Sequence, residues 1–200
     1  MKNSKSDVDR RRRRRRRRIQ IIIIYTAIAV GLAWFFELQA TTTVIFVRHA
    51  EKVANVDDPG LSAAGQRRAT ELARQLVDAD VIPGKGVDAV YSTPFRRTEE
   101  TARAVADALD LQVLPYEATD DVDKAEESMD EIVRSHKGEI ILIVGHSNTV
   151  PVMIGAMGAS KNVPYIDEAE YDNMYIVSIP WFGKTKTIRL RYGEPYIPTE

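Results

Sequence analysis

The sequence predicts an α/β body with a mostly parallel central sheet flanked by helices, preceded by one N-terminal transmembrane helix. Three observations carry this expectation. Val44–Val47 ("VIFV") and Ile140–Val144 ("IILIV") are continuously apolar rather than alternating, as strands covered on both faces are. Segments with helical spacing fall between them, the order of an α/β protein. Ile19–Phe36 runs 18 residues without a charge directly after nine consecutive arginines, Arg10–Arg18, close to the shortest length that crosses a bilayer.

The elements follow in chain order. Residues 1–18 read as a basic cytoplasmic tail, 19–36 as the membrane anchor and 41–200 as the body. The positive-inside rule puts the N-terminus in the cytoplasm and the body in the periplasm or outside the cell, with Trp34, Phe35 and Phe36 at the outer interface. The arginine run then sits on anionic head groups. A cleaved signal segment is the alternative, with Leu38-Gln39-Ala40 as its cleavage site and a secreted body.

Within the body, Thr41–Thr43 reads as the exit from the anchor and Val44–Val47 as the first strand. Ser62 is placed to cap a helix running to about Ala79, with Ala69, Leu72, Ala73 and Leu76 on one face. Pro83, Gly84 and Gly86 break the chain before Val87–Tyr91. A helix from about Phe95 to Leu109 leads to a short strand, Gln112–Leu114, stopped by Pro115. Asp123–His136 reads as a helix with Ala125, Met129, Ile132 and Val133 inward. Ile140–Val144, a helix over Val150–Met157, and strands Met174–Ile179 and Thr187–Tyr192 complete the body.

Composition excludes several classes. Apolar residues make up 44% and charged residues 28% of the chain, a globular balance. No cysteine is present, which rules out disulfides, thiolate zinc sites and a cysteine nucleophile. The net charge of −1 divides into +8 over residues 1–40 and −9 over the other 160. An acidic body argues against a nucleic-acid partner, which requires a basic face.

Open α/β sheets bind ligands at the carboxyl ends of their strands. There "VIFV" runs into Arg48-His49 and "IILIV" into Gly145-His146. Two of the three histidines therefore stand in equivalent places, one beside an arginine. The third, His136, reads as a solvated last-turn residue. "YSTPFRRTEETARAVA" adds Arg96 and Arg97 past another strand end, where a guanidinium suits phosphate oxygens. Arg96 is expected to pair on the surface with Glu99 or Glu100.

"VRHAEK", "LSAAGQRRA", "YSTPFRRTEETA" and "VGHSNTVP" together resemble, in order and spacing, the histidine phosphatase superfamily, the phosphoglycerate mutase-like proteins. The resemblance covers Thr43 to Tyr192 and is greatest to small exported or membrane-attached members with an Arg-His-Ala-Glu-Lys motif. It implies that His49 is the nucleophile that becomes phosphohistidine, that Arg48 and Arg97 clamp the phosphate, and that His146 is the second pocket histidine. It also implies that no metal or organic cofactor takes part. Positioning and charge dominate phosphoryl transfer, so a protonated His146 is expected to share the phosphate oxygens with the arginines while a neutral His49 attacks.

A carboxylic acid must supply the leaving group's proton. In "VLPYEATDD", Glu117 is the candidate, ahead of Asp120 and Asp121. Asn148 and Ser147 either donate to phosphate or cap the next helix, Glu51 and Lys52 line the entrance or pair with each other, and Asn55 reads as a plain loop residue. The function this implies is hydrolysis of phosphomonoesters on a phosphorylated small molecule or phosphoprotein. The alternatives are a phosphoglycerate-type mutase, a non-catalytic phospho-ligand binding module and a protein phosphohistidine phosphatase.

Overall fold

The computed structural model describes residues 3–38, 41–78, 86–159 and 162–197. They fall into two units, residues 1–39 and 40–200. The first unit is one helix, α1 (Asn3–Leu38). It runs unbroken through the arginines and the apolar stretch, and its described apolar side chains are exposed, from Ile19 to Phe36. Its stretch Arg12–Phe36 is long and apolar enough to cross a membrane. Gln39 and Ala40 of the expected cleavage site lie outside the described residues.

The second unit is built on β1 (Thr41–Arg48), α2 (Ala63–Asp78), β2 (Ala89–Ser92), α3 (Arg96–Ala108), β3 (Val113–Pro115), α4 (Val122–Ser135), β4 (Ile140–Gly145), α5 (Thr149–Ala156), β5 (Asn173–Pro180) and β6 (Lys186–Arg191). One six-stranded sheet takes the order β3-β2-β4-β1-β5-β6. β1, β4, β2 and β3 pair in parallel, while β5 is antiparallel to both β1 and β6. The sheet is therefore mixed but mostly parallel, as expected, with β5 the one strand that runs against the others. The cause lies after α5: residues 157–172 carry the chain back to the carboxyl end of β1, so β5 enters beside Val47 and runs the other way.

β1 lies at the centre, with β4 on one side and β5 on the other. Seven of its eight residues are buried, so Thr41–Thr43 is strand and not an exit segment. Threonine is β-branched and fits a pleated surface, and Thr42 accepts from the N–H of Gly138 through its hydroxyl. Alternate β1 side chains enter two cores. Val44 and Phe46 pack with Met129, Ile143 and Ile154, and Ile45 and Val47 pack with Leu72, Val105 and Leu142. Pro115 is part of β3 rather than its stop: on this edge strand it pairs through Ser92 without needing an N–H for a further neighbour.

Local chemistry sets the helix starts. The Ser62 hydroxyl accepts the Gly65 N–H at 3.2 Å, the expected cap of α2. Asp121 caps α4 by accepting from Asp123 and Lys124, so it serves structure rather than the pocket. Inside α2, Ala69, Leu72, Ala73 and Leu76 are all buried as their spacing predicts. His136 corrects the expectation of a solvated residue. It is mostly buried, with Nδ1 2.6 Å from Glu139 Oε2 and Nε2 2.9 Å from the Tyr91 hydroxyl, and it ties the end of α4 to β2.

Candidate active site

The carboxyl ends of β1, β2 and β4 open into a cavity of about 530 Å³ whose lining includes Arg48, His49, Arg97, Glu117, His146 and Asn148. All six residues anticipated for the site thus share one cavity. The fold unites them because β1 and β4 are adjacent and in register, Arg48 opposite Gly145, and because the His49 N–H donates to the Gly145 carbonyl at 2.9 Å. The two imidazoles come to rest with ring centroids 5.5 Å apart and edges toward faces.

His49 is 3% exposed. Its Nδ1 lies 2.8 Å from the carbonyl oxygen of Ala50, which can only accept. Nδ1 therefore carries the hydrogen, and Nε2 keeps its lone pair. Burial pushes the His49 pKa down to about 3, and the charges of Arg48, His146 and Arg97 push in the same direction. The ring is neutral at neutral pH, as a nucleophile must be. Ala50 is itself fixed, because its N–H donates to the Thr101 hydroxyl of α3 at 3.0 Å.

Arg48 is buried. One terminal nitrogen donates to the carbonyls of Asp167 (2.7 Å) and Glu170 (3.2 Å), and the guanidinium lies 4.3 Å from the Tyr171 ring centre. Burial works against its charge, and Tyr171, Glu168 and Asp167 work in favour of it. Arg97 stacks on Phe95 at 4.6 Å. The Nε atoms of both arginines are buried without a hydrogen-bond partner. Buried donors are nearly always paired, so two unpaired guanidinium nitrogens flanking one cavity suit an anion with several oxygens.

His146 follows β4, and its Nε2 lies 3.1 Å from the Thr93 hydroxyl. Burial, Arg97, Arg48 and Lys52 lower its pKa to about 4. These surroundings, taken alone, favour the neutral ring near pH 7. A phosphate dianion between the histidines and arginines would supply the negative charge that favours its protonation. The Gly145 before it has no room for a side chain, since a Cβ there would come within 2.8 Å of the Tyr116 hydroxyl.

Glu117 stands exposed at the cavity mouth. Asn148 begins α5 without a side-chain cap bond, and the Thr149 hydroxyl instead accepts the His146 N–H at 3.3 Å. Glu51 and Lys52 do not pair with each other. Glu51 binds Arg68 at 2.8 Å, whose guanidinium also donates to the carbonyls of Tyr192 and Glu194, so this arginine of "LSAAGQRRA" pins the end of the chain. Lys52 lines the cavity. Arg96 pairs with Glu100 at 3.3 Å, as expected, and Asn55 is an exposed loop residue.

Among the lining residues without an expected part in the site are Thr93, Phe95, Glu168 and Tyr171. Phe95 meets the His146 ring at 5.3 Å, and Tyr171 meets His49 at 5.9 Å. Thr93 and Phe95 lie inside the quoted "YSTPFRR", where their neighbours drew the attention. Glu168 and Tyr171 come from the returning 157–172 segment, and no local pattern marks them. Among the described residues no group of three or more His, Asp or Glu side chains is placed to hold a metal ion.

Residues 44–123 match the family described as the histidine phosphatase superfamily (branch 1). Phosphoserine phosphatase 1 of Hydrogenobacter thermophilus is 33% identical over 87 residues, which cover 40% of this chain and 38% of that protein. The match therefore spans well under half of the relative's length. Among solved structures, the protein histidine phosphatase SixA complexed with tungstate superposes with a TM-score of 0.59 at 20% identity, over 74% of this chain and 96% of that one. A phosphoserine phosphatase from Entamoeba histolytica in complex with 3-phosphoglyceric acid gives 0.53 at 15%, over 76% and 97%. Phosphoglycerate mutase from Bacillus anthracis str. Sterne gives 0.55 at 16%, over 77% and 95%. At such identities these structures show a common fold. Residues 44–123 are thus similar in sequence to the histidine phosphatase superfamily, and the body around them shares the fold of these solved structures.

Proposed function

We propose that the body hydrolyses phosphomonoesters through a phosphohistidine on His49. One observation carries this reading: a buried imidazole with its lone pair set at Nε2 by the Ala50 carbonyl, beside two buried guanidinium nitrogens that lack partners. In the first step the Nε2 lone pair attacks phosphorus in line, and the bond from phosphorus to the leaving oxygen breaks. That oxygen takes a proton from the Glu117 carboxyl. In the second step Glu117, now a carboxylate, takes a proton from water as the water oxygen attacks phosphorus. The P–N bond breaks, inorganic phosphate leaves and His49 is restored. Arg48, Arg97 and His146 hold the phosphoryl oxygens throughout, and Asn148 lies within the same lining. Such fixed charges are usually the largest contribution to phosphoryl transfer.

The sequence likeness to a phosphoserine phosphatase supports a small phosphomonoester as substrate, and the fold shared with a protein histidine phosphatase adds phosphohistidine in proteins. The test is a substrate panel containing both, with acid-quenched protein and labelled substrate. An acid-labile phosphoenzyme is expected, lost in His49→Ala together with phosphate release. Binding without release across the panel would favour a binding module, and an isomerised phosphoester in place of free phosphate would favour a mutase.

The finer reading of the N-terminus is a single-pass anchor with the arginines in the cytoplasm and the body outside it, as in the small membrane-attached proteins with the Arg-His-Ala-Glu-Lys motif. The nine arginines before an exposed apolar helix support it. A reporter after Glu200 that is active only outside the cytoplasm is the expected result; activity inside would overturn the topology. Release of the body from membranes as a shorter chain would favour cleavage near Ala40.

A further inference from the structure

The turn joining β5 to β6 carries the two most exposed aromatic side chains of the body, Trp181 at 83% and Phe182 at 92%. Gly183 completes the turn at a positive φ of 124°, a conformation side chains other than hydrogen rarely permit. Between Asp172 and Glu194 the chain has no acidic residue but holds Lys184, Lys186, Arg189 and Arg191. The two arginines are committed to Glu170 and Asp172. Lys184 and Lys186 enter no ion pair among the described residues, and both follow the aromatic tip, Lys186 opening β6. In a body with a balance of −9 this is a local concentration of aromatic surface and unpaired positive charge.

The strand register locates the tip. Pro180 pairs with Thr41, and Ser178 pairs with Thr43. The tip therefore stands at the amino end of β1, and Thr41 follows Phe36 by five residues in the sequence.

We propose that the β5–β6 tip is a second membrane contact, with Trp181 and Phe182 seated at head-group level and Lys184 and Lys186 on anionic phosphates. Trp181, with an apolar body and a polar N–H, suits this zone, Phe182 adds apolar area to the contact, and a lysine ammonium can pair with a head-group phosphate. The inference rests on the anchor reading above. It also fixes a direction for the chemistry. His49 stands at the opposite end of β1, roughly 26 Å away at ~3.3 Å per residue. A body seated on its hairpin turns the pocket to water, so its substrate class is a phosphate carried by a dissolved compound, not a head-group phosphate of the anchoring bilayer.

The chain has no cysteine, so Phe182→Cys offers one thiol for an environment-sensitive fluorophore. The full chain is reconstituted into phosphatidylcholine–phosphatidylserine vesicles, with Glu126→Cys on the exposed surface of α4 as the reference. A blue shift at position 182, quenched by a lipid-borne nitroxide and lost when Lys184→Glu and Lys186→Glu are added, is expected. The label at 126 should stay water-like, and hydrolysis of a soluble phosphomonoester should be unchanged. A water-like label at 182 in a chain that resists alkaline carbonate would overturn the hairpin contact and leave the anchor standing. Release of the chain by carbonate would overturn both. A blue shift that grows with protein concentration and ignores the lipid quencher would assign the tip to a second copy of the chain and overturn the proposal.

Discussion

His49 owes its readiness to one carbonyl. The Ala50 oxygen fixes the hydrogen on Nδ1, and burial among cations keeps a second proton away until about pH 3. His146 resists protonation until about pH 4. Neither value is that of an ordinary imidazole, near 6.5. The acid limb of kcat/KM, which reports the free protein, is expected below pH 5 once the substrate's own ionisation near pH ~6 is divided out. A histidine limb at 6.5 in the pH profile would contradict it. Arg97→Lys keeps a charge but loses the fork that Nε helps to form, and kcat/KM should fall by about 10²–10³, the usual loss when one fixed donor to a developing anion is removed. Steady-state kinetics of that variant decide the matter. At this scale the sequence was informative wherever chemistry is concentrated in rare residue types: a histidine or an arginine at a strand end is conspicuous. Tyr171 under Arg48 and Thr93 on His146 are ordinary types, and only the path of the chain gives them their work.

Elements bring those residues together through close approaches. Gly65 lies in the first turn of α2, and a Cβ there would overlap the carbonyl oxygen of Glu51, two residues after His49. Ala is the better helix former by about 1 kcal/mol. The overlap with fixed backbone should reverse that sign, and Gly65→Ala is expected to destabilise the body by about 1–3 kcal/mol, measured by urea unfolding. A stabilised variant would show that α2 can move away freely. The sequence marked the elements themselves well, since continuous apolar runs identify doubly covered strands. It misjudged Thr41–Thr43 because polar residues before an apolar run look like a linker until strands on both sides are known to pair with them. It read the sheet as mostly parallel, as it is, but could not single out β5 as the reversed strand, because no periodic element precedes it.

For the whole molecule, the depressed histidine values become a dependence of stability on acidity. An unfolded histidine takes its proton near 6.5, whereas folded His49 does so near 3 and His146 near 4. Between these values the unfolded chain binds more protons, so stability falls as pH drops from about 6.5 toward 3 and is unaffected by these groups above that window. His49→Asn removes one of the two contributions. Its unfolding midpoint should decline less steeply than that of wild type across the window, as followed by thermal melts at a series of pH values. Equal slopes would mean that His49 is not held neutral by the fold.

The central place of β1 has one more consequence, in the time taken to make the protein. The strand that leads into His49 is synthesised first among the strands, but its partners are β4 and β5, ending at Gly145 and Pro180. About 130 residues must follow Arg48 before both of its edges are hydrogen-bonded, some 6–26 s at ~5–20 residues per second. Through that interval an apolar strand waits with at least one open edge, a state prone to sticking, and the cavity lining lacks Tyr171 until most of it has passed. Reactivity arrives with the last strands, so the growing chain is chemically silent for most of its synthesis.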